Sequence, residues 1–294
     1  MKRKKHILLL CLLMAAFLFA ASCGAPAPEE APPAEITRVI SMGPAHTEVL
    51  VALGFGDKLI AVDDFSAPIP GVPEGLPLLD MMAPDGERIL ALMPDVLFAT
   101  GMTQVDGIDP FGIVSDAGIS VVHIPFSTSI ADIKADIRLI AEVMGASESG
   151  EALVAEMTQA INEIRAVGEG IGDRKTVYFE ISEPPFMYSF GQGVFLHEML
   201  TLIGAENAFA HQDAWFLVAD EAVFEANPDV ILTNVFGDGE AAVREILGRP
   251  GWEAIAAVEA GRVYHIDTDS SSRASHNIIR ALNEMARAVY PAYF

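Results

Sequence analysis

The chain has 294 residues and a formal net charge of −23, and 51 % of its residues are hydrophobic. Such acidity argues against nucleic acid as a partner and against attachment to a membrane through a polybasic surface. The length accommodates two domains of about 100–200 residues, each large enough to bury its own core.

The first 22 residues have the pattern of an export signal. A basic segment, Lys2 to Lys5, precedes an uncharged stretch, Ile7 to Ala21, that is shorter than the roughly 20 apolar residues of a membrane-spanning helix. The stretch ends in Ala20-Ala21-Ser22-Cys23-Gly24, which resembles the lipobox of bacterial lipoproteins, with Ala20 where that motif usually has Leu. We predict a signal peptide over 1–22 and a lipidated Cys23. Ordinary secretion with an incidental cysteine is the alternative.

The predicted mature chain has Cys23 as its one cysteine, because Cys11 lies inside the signal. A lone exported thiol has no disulfide partner but can serve as an acyl anchor. Pro and Glu dominate the residues that follow, so 23–35 is predicted to be an extended tether that carries no fold. We therefore expect an exported protein that lipid anchors to the cell membrane, at its extracytoplasmic face or in the periplasm.

The remaining sequence contains an internal repeat. Two like halves predict two lobes, and clefts between lobes are where ligands bind. Chance similarity of short apolar patterns is the alternative. Three segments return in the same order, at offsets of 150, 134 and about 142: Thr47–Gly54 as His197–Gly204, Glu87–Leu97 as Glu221–Ile231, and Ala117–Ile124 as Ala260–Ile266.

Short β-rich runs alternate with helical patterns, such as Glu48–Leu53 and Arg88–Leu92, in both halves. Continuous apolar runs are typical of parallel strands that are buried on both faces. The alternation predicts an α/β fold with right-handed crossovers, in the form of two Rossmann-like lobes with parallel sheets. The predicted strands are Arg38–Ser41, Leu59–Val62, Val96–Ala99, Val121–Ile124, Thr176–Ile181, Val230–Asn234 and Val263–Ile266.

The middle of the chain has two long amphipathic helical patterns, Ile130–Met144 and Glu151–Val167, with no strand between them. We predict an N-terminal lobe over 36–147, one long linking helix over 148–172 and a C-terminal lobe over 173–294, with the ligand cleft between the lobes. A stiff helical connection predicts that the lobes close by only a small angle.

Enzyme motifs are incomplete in this sequence. His197-Glu198 begins like a zinc-protease motif, but threonine replaces its second histidine. Gly191-Gln192-Gly193 begins like a dinucleotide loop, but leucine replaces the third glycine. We therefore predict no catalytic residue, no metal site and no cofactor of the protein's own. The alternatives are an exported hydrolase that uses His46, His197 or His276, and a receptor for a bare metal ion with three or four converging ligands.

Large apolar and polarisable side chains are concentrated in the loops that follow predicted strands, where α/β proteins bind ligands. A flat, bulky, partly apolar ligand would suit them. Core packing is the alternative for each one singly, and we assign Trp252 to packing. The predicted ligand contacts are Met42, His46, Phe65, Met81, Met82, Met102, Phe186, Met187, Tyr188, Trp215, Phe216, Arg273 and His276.

Four segments are characteristic of one protein family: Val39–Glu48, Glu87 through Asp95, Phe195–Glu198 with Gly204–Asn207, and Arg273–Ile279. Because of these segments, the part of the chain from Ile36 to Tyr290 resembles the substrate-binding proteins of bacterial ABC importers for vitamin B12, iron–siderophores and haem. Arg273-Ala274-Ser275, with Pro184-Pro185-Phe186 and Trp215, favours the vitamin B12 binders. Phe65 departs from them, because they tend to have Tyr there.

The resemblance implies a non-enzymatic, monomeric receptor whose partners are a permease dimer and a small metal chelate. It also implies that Glu87 and Glu221, which are equivalent in the repeat, dock into arginines of the two permease subunits. A favourable interaction with the helix macrodipole is an alternative role that is compatible with docking.

The expected ligand is a corrinoid first, haem second and an iron–siderophore third, so that the ligand itself brings cobalt or iron. Haem would need an axial donor, which Tyr188, His276, Met81 or Met82 could supply. An anionic siderophore would need several cations, and Arg273 is the one we place in the cleft.

Overall fold

A computed structural model describes residues 35–103 and 109–294. The predicted signal peptide, Cys23 and the tether up to residue 34 lie outside the described residues. Within those two ranges, no helix is both long enough and apolar enough to cross a lipid bilayer.

The predicted α/β class is confirmed by two parallel sheets. The first has the order β3-β2-β1-β4-β5, the second has the order β11-β10-β6-β8, and β7 and β9 form a separate antiparallel ribbon. In the described residues the strands are β1 Val39–Met42, β2 Leu59–Asp63, β3 Leu78–Leu79, β4 Val96–Thr100, β5 Ser120–Ile124, β6 Thr176–Glu180, β7 Tyr188–Phe190, β8 Glu206–Asn207, β9 Trp215–Leu217, β10 Val230–Thr233 and β11 Val263–His265.

All the predicted strands are present, with ends that differ by at most one residue. The central strands β1 and β10 are buried along their whole length, as expected of strands that are covered on both faces. β5 lies at a sheet edge and is buried only at Ile124, because one side of an edge strand faces solvent. The short strands β3, β7, β8 and β9 are not among the predicted ones.

Helices cover both faces of each sheet, and separate clusters of buried apolar side chains fill the space between helices and strands. The α-helices of the described ranges are α1 Pro44–Ala52, α2 Gly86–Ala91, α3 Gly112–Asp116, α4 Ile130–Val143, α5 Ser147–Glu169, α6 Phe195–Leu202, α7 Asp220–Ala226, α8 Gly239–Leu247, α9 Ala256–Glu259, α10 Thr268–Ser272 and α11 Ile278–Val289.

The two sheets repeat the same strand register. Leu97 in β4 lies opposite Val121 in β5, and Ile231, which is equivalent to Leu97 in the repeat, lies opposite Val263 in β11. On its other side β4 pairs with β1, and β10 pairs in the same way with β6; β1 and β6 are the first strands of the two halves. The duplication seen in the sequence is therefore confirmed in the strand pairing.

The long helix α5, with 23 residues, is about 35 Å long and lies between the last strand of the first sheet and the first strand of the second. Near its start, Gly150 packs against Ala141 of α4, and near its end, Gly168 packs against the turn after α6. The largest cluster of buried apolar residues includes side chains of both sheets and of α5. The helix thus contacts both lobes, whereas the exact lobe boundaries stay a prediction.

Replacing Gly168 with alanine is expected to lower the free energy of unfolding by about 1–3 kcal/mol through overpacking. A Cβ at Gly168 would lie 2.2 Å from the carbonyl oxygen of Leu202 and 2.9 Å from the amide nitrogen of Gly204, and both of these are backbone atoms. Urea denaturation measures the effect. Gly172→Ala is the matched control, because a Cβ there meets no heavy atom within 4 Å. Equal stability of the two variants would contradict close packing at this contact.

Candidate functional site

A cavity lies at the carboxyl ends of the N-terminal strands, between the two lobes. The first lobe lines it with Gly43–His46 after β1, Thr100 and Met102 at the end of β4, Met81 after β3, and Pro125–Ser127 after β5. The second lobe contributes Ser272, Arg273 and Ala274. The volume of the cavity is about 120 Å³, which is smaller than the roughly 300–1,000 Å³ of typical small-molecule sites, so a bulky ligand would have to extend beyond it.

Large apolar side chains are exposed on loops near strand ends and at the first residues of β7 and β9. Their relative exposures run from 40 % to 68 %, although side chains of this size lose free energy in water. The predicted ligand contacts of this kind are Phe65, Met82, Met102, Phe186, Tyr188 and Trp215.

Aspartates hold two of these loops in place. The carboxylate of Asp63, at the end of β2, accepts the backbone N–H of Phe65 at 2.9 Å. The carboxylate of Asp80, just after β3, accepts the backbone N–H of Met82 at 2.8 Å. Burial raises the pKa of Asp63, partly offset by its hydrogen bonds with Ser66 and Phe65. These turns fix the backbone, so Phe65 and Met82 are presented on ordered loops.

The segment from Phe186 to Tyr188 is also fixed by its own hydrogen bonds. Ser182 donates its hydroxyl to the carbonyl oxygen of Phe186 at 2.6 Å and accepts the N–H of Tyr188 at 3.0 Å. Tyr188 begins β7, which pairs with β9, and Trp215 of β9 packs its ring edge-on against Phe190 at 5.7 Å between centroids. The ribbon therefore holds Tyr188 and Trp215 on one ordered element.

Two exposed aromatic residues are missing from the sequence prediction. Phe126 lines the cavity after β5, and Phe236 follows β10, with relative exposures of 62 % and 74 %. Phe236 is equivalent to Met102 at the repeat offset of 134, so the internal repeat could have indicated it. Phe126 follows a predicted strand, which is the signal that identified the other contacts.

Four of the predicted apolar contacts are wholly or partly buried. Met42 has no exposed surface and packs in the core of the first lobe, and Met187 belongs to the core of the second. Phe216 packs edge-on against Phe209 at 5.4 Å between centroids. Met81 is nearly buried but lines the cavity. A ligand contact by Met42 or Met187 would need their surroundings to move, and the role of these side chains stays a prediction.

The buried His46 and the half-buried His276 are uncharged at neutral pH. Burial lowers the pKa of His46 to about 4, and its Nδ1 has no hydrogen-bond partner. Burial also lowers the pKa of His276, although the charge of Glu48 opposes that shift. His46 lines the cavity between the lobes, and His276 lines a neighbouring pocket. The two imidazoles therefore bring polar atoms to this region without adding charge.

The predicted cation of the cleft, Arg273, is paired with acidic groups. Its Nη1 lies 2.9 Å from Oε1 of Glu48 on the first lobe, and its Nη2 lies 2.8 Å from Oδ1 of Asp269. The Glu48 carboxylate also accepts the hydroxyl of Ser275. Arg273 thus lines the cavity, and two carboxylates compensate its charge.

The two predicted docking glutamates are exposed at equivalent places. Glu87 is the second residue of α2, which precedes β4, and Glu221 is the second residue of α7, which precedes β10. Within the described ranges neither carboxylate forms an ion pair. Both carboxylates are therefore available to a partner, and docking stays a prediction.

A receptor for a bare metal ion would need three or four converging ligand side chains within the described parts of the chain. No group of three or more His, Cys, Asp and Glu side chains there converges on a point that could hold a metal. His197, a candidate for the hydrolase alternative, lies in α6 beside Lys134 and Arg165, in a groove that does not share residues with the cavity.

Comparison with known proteins identifies similar chains. Residues 39–270 match the family described as periplasmic binding protein. An uncharacterised ABC transporter substrate-binding lipoprotein of Bacillus subtilis (strain 168), YvrC, is 32 % identical over 265 residues, which cover 88 % of this chain and 82 % of that protein. A vitamin B12-binding protein of Pectobacterium carotovorum subsp. carotovorum (strain PC1) is 28 % identical over 252 residues, which cover 84 % of this chain and 86 % of that protein.

The fold is shared with solved structures. The periplasmic haem-binding protein RhuT from Roseiflexus sp. RS-1 in apo form superposes with a TM-score of 0.77 at 22 % identity, covering 88 % of this chain and 100 % of that chain. At this identity the likeness shows the two-lobed fold alone.

Proposed function

The chain belongs to the periplasmic binding protein family, and we propose that it captures a vitamin B12-like corrinoid and delivers it to an ABC importer. Members of this family are ligand-binding components of transporters and not enzymes, so the hydrolase alternative is not retained. The proposal includes export, lipid attachment at Cys23 and docking on a permease dimer through Glu87 and Glu221.

The observation that carries the proposal is the inter-lobe cavity lined by Met81, Met102 and Phe126, together with the further exposed aromatic and thioether side chains near strand ends in both lobes. These groups suit a broad, flat and partly apolar ligand. The neutral histidines and the compensated Arg273 suit a ligand whose polar rim is uncharged, as in the amide side chains of a corrinoid. A named vitamin B12-binding protein among the relatives gives further support.

Haem is the second candidate, because Tyr188 is exposed on the ribbon and could donate a phenolate to iron. Further candidate donors are His276 in the neighbouring pocket, Met81 in the cavity wall and the exposed Met82. An anionic siderophore ranks third, since Arg273 is already paired with Glu48 and Asp269.

The ligand class is tested by titrating the purified protein with cyanocobalamin, dicyanocobinamide, haem and a ferric siderophore. A ligand that binds the folded state raises the melting temperature with its concentration. We expect stabilisation by the corrinoids and none by the siderophore. A Soret shift with haem, together with no stabilisation by either corrinoid, would identify haem and not a corrinoid as the ligand.

Alanine substitution at Phe126 or Trp215 is expected to weaken corrinoid binding by about 10- to 100-fold, because each exposed ring would lose its contact with the ligand. Calorimetric titration measures the change. Tyr293→Ala is the matched control, since Tyr293 is an exposed aromatic residue that contacts Tyr290 at the end of the chain. Unchanged affinity in both cleft variants would contradict the proposed ligand surface.

A further inference from the structure

Glu48 is a buried carboxylate that connects the two lobes. It lies in α1 with a relative exposure of 6 %, and its Oε1 and Oε2 atoms contact Arg273 and Ser275 of the second lobe. Ser275 has no exposed surface, and its hydroxyl also accepts the backbone N–H of Asn277 at 3.1 Å. The sequence prediction assigns no ligand-binding role to Glu48.

The Arg273 guanidinium lies in a wall that separates two spaces. One is the inter-lobe cavity, and the other is the neighbouring pocket, which is lined by Glu48, Asp269 and His276 among others. Among the described residues that line the inter-lobe cavity, Arg273 is the one cation. Because His46 is uncharged, the positive charge available to a ligand there depends on the partners of Arg273.

Those partners leave little positive charge for a ligand. A guanidinium between two carboxylates forms a group with one net negative charge, and the Glu48 contact is shielded from water. An anionic ligand would meet this group rather than a free cation, and would have to displace a buried carboxylate to reach the guanidinium. A ligand with an uncharged rim meets no such obstacle.

We propose that Glu48 sets the charge selectivity of the cavity by engaging Arg273, so that the site takes metal chelates with an uncharged rim and rejects those with carboxylates. The inference rests on the proposed function and deepens it, since it specifies the chemistry of the ligand's periphery. Glu48 acts through Arg273 and is a specificity residue that does not itself touch the ligand.

The internal repeat supplies a matched control. Glu198 is equivalent to Glu48 at the repeat offset of 150, and it also reaches the other lobe, since its Oε2 accepts the backbone N–H of Ile130 at 3.3 Å. Its neighbours line a separate groove that holds no residue of the inter-lobe cavity. The two glutamates therefore share a position in the repeat, but only Glu48 pairs with the cation of the cavity wall.

The test compares two probes that share one corrin ring. Dicyanocobinamide carries amide side chains, and dicyanocobyrinic acid carries carboxylates in their place. Cyanide fills both axial positions of each probe, so coordination by the protein cannot contribute. Dissociation constants for both probes are measured at one ionic strength with the wild type and with Glu48→Gln, which preserves size and hydrogen bonding. We expect the wild type to bind cobinamide more tightly than cobyrinic acid. In the variant, we expect this preference to shift toward cobyrinic acid by at least about tenfold.

Further variants separate selectivity from stability. Adding Arg273→Gln to Glu48→Gln is expected to restore the wild-type preference, and Glu198→Gln is expected to leave it unchanged. Asp269→Asn removes the more exposed partner of Arg273 and is expected to give a smaller shift in the same direction as Glu48→Gln. This variant decides the matter if Glu48→Gln does not fold.

The inference is overturned if the folded Glu48→Gln and Asp269→Asn proteins bind cobinamide and keep the wild-type ratio of the dissociation constants for cobinamide and cobyrinic acid. A purely structural role of Glu48 would give that result together with a lower melting temperature. If the wild type binds neither corrinoid, the proposed corrinoid function itself fails, and this inference fails with it. The two failures are therefore distinguishable.

Discussion

Lysine substitutions at Glu87 and Glu221 together are expected to abolish stimulation of the transporter's ATPase and to leave ligand affinity unchanged. Both carboxylates are exposed in the first turns of equivalent helices, away from the residues that line the cavity. A two-fold related pair of charges matches a permease with two like subunits. Close interfacial charge pairs contribute about 1.5–7 kcal/mol each, so loss of both corresponds to roughly 10²-fold weaker docking or more.

The measurement uses the reconstituted transporter, with ligand affinity determined separately by calorimetry. Glu148→Lys with Glu259→Lys is the matched control, because these exposed glutamates lie on other helix ends and the change in net charge is the same. Normal stimulation by the Glu87 and Glu221 double variant would refute docking through these residues. Loss of ligand binding would refute the separation of docking from ligand capture.

The fold could be predicted from the sequence because its information is local and is repeated. Buried parallel strands such as β1 and β10 are continuous apolar runs, and they can be recognised without knowing their partners. The repeat then supplied an independent check on each half. Gly54 and Gly204, which end equivalent helical segments, both have positive φ, of 87° and 81°. A left-handed residue is needed at both positions, so glycine returns there.

What the sequence could not predict depends on contacts between distant residues. The ribbon of β7 and β9 pairs Tyr188 with Leu217, and each strand has only three residues, which is too short for a recognisable period. The contact of Glu48 with Arg273 joins residues 225 positions apart. Met42 ends a strand and resembles the exposed loop residues in sequence, but its side chain packs inward.

A second large effect is expected in the core of the C-terminal lobe, which contains a buried ion pair. Arg249 donates from Nη1 and Nη2 to the two oxygens of Glu180, each at 2.9 Å, and both side chains are almost fully buried. Tyr178 donates its hydroxyl to Glu180 at 3.1 Å, and the guanidinium lies 4.1 Å from the ring centroid of Trp252. Trp252 is fully buried, which agrees with its assignment to packing.

Arg249→Met is expected to lower the free energy of unfolding by about 3–5 kcal/mol, because it leaves the Glu180 carboxylate buried and unpaired. This is a large part of the roughly 5–15 kcal/mol that stabilises a typical domain. Urea denaturation at pH 7 measures it. Arg138→Met is the control, since Arg138 pairs with Glu151 on the surface, where solvent screening leaves such pairs little effect on stability. A similar loss in both variants would contradict the assignment to the buried pair.

The pH dependence identifies the cause of the loss. Burial raises the pKa of Glu180 even though hydrogen bonds from Arg249 oppose the shift, and removing Arg249 takes away that opposition. A carboxylate with a raised folded-state pKa binds protons more strongly when folded, so its penalty is present at high pH and disappears as the pH falls through that pKa. As the pH falls from 7 toward the ordinary carboxyl range, Arg249→Met should therefore gain more stability than the wild type does.

The double variant Arg249→Met with Glu180→Gln removes the unpaired charge and should recover most of the lost stability without that pH dependence.

The same double variant also tests whether the buried ion pair affects ligand binding. Arg249 contacts the sulfur of Met187 at 3.2 Å, and Met187 lies between the exposed side chains of Phe186 and Tyr188. If the ion pair holds this segment in place, the double variant will fold normally and bind the corrinoid more weakly than the wild type. Equal affinity would show that the hydrogen bonds of Ser182 and the pairing with β9 hold the segment without it.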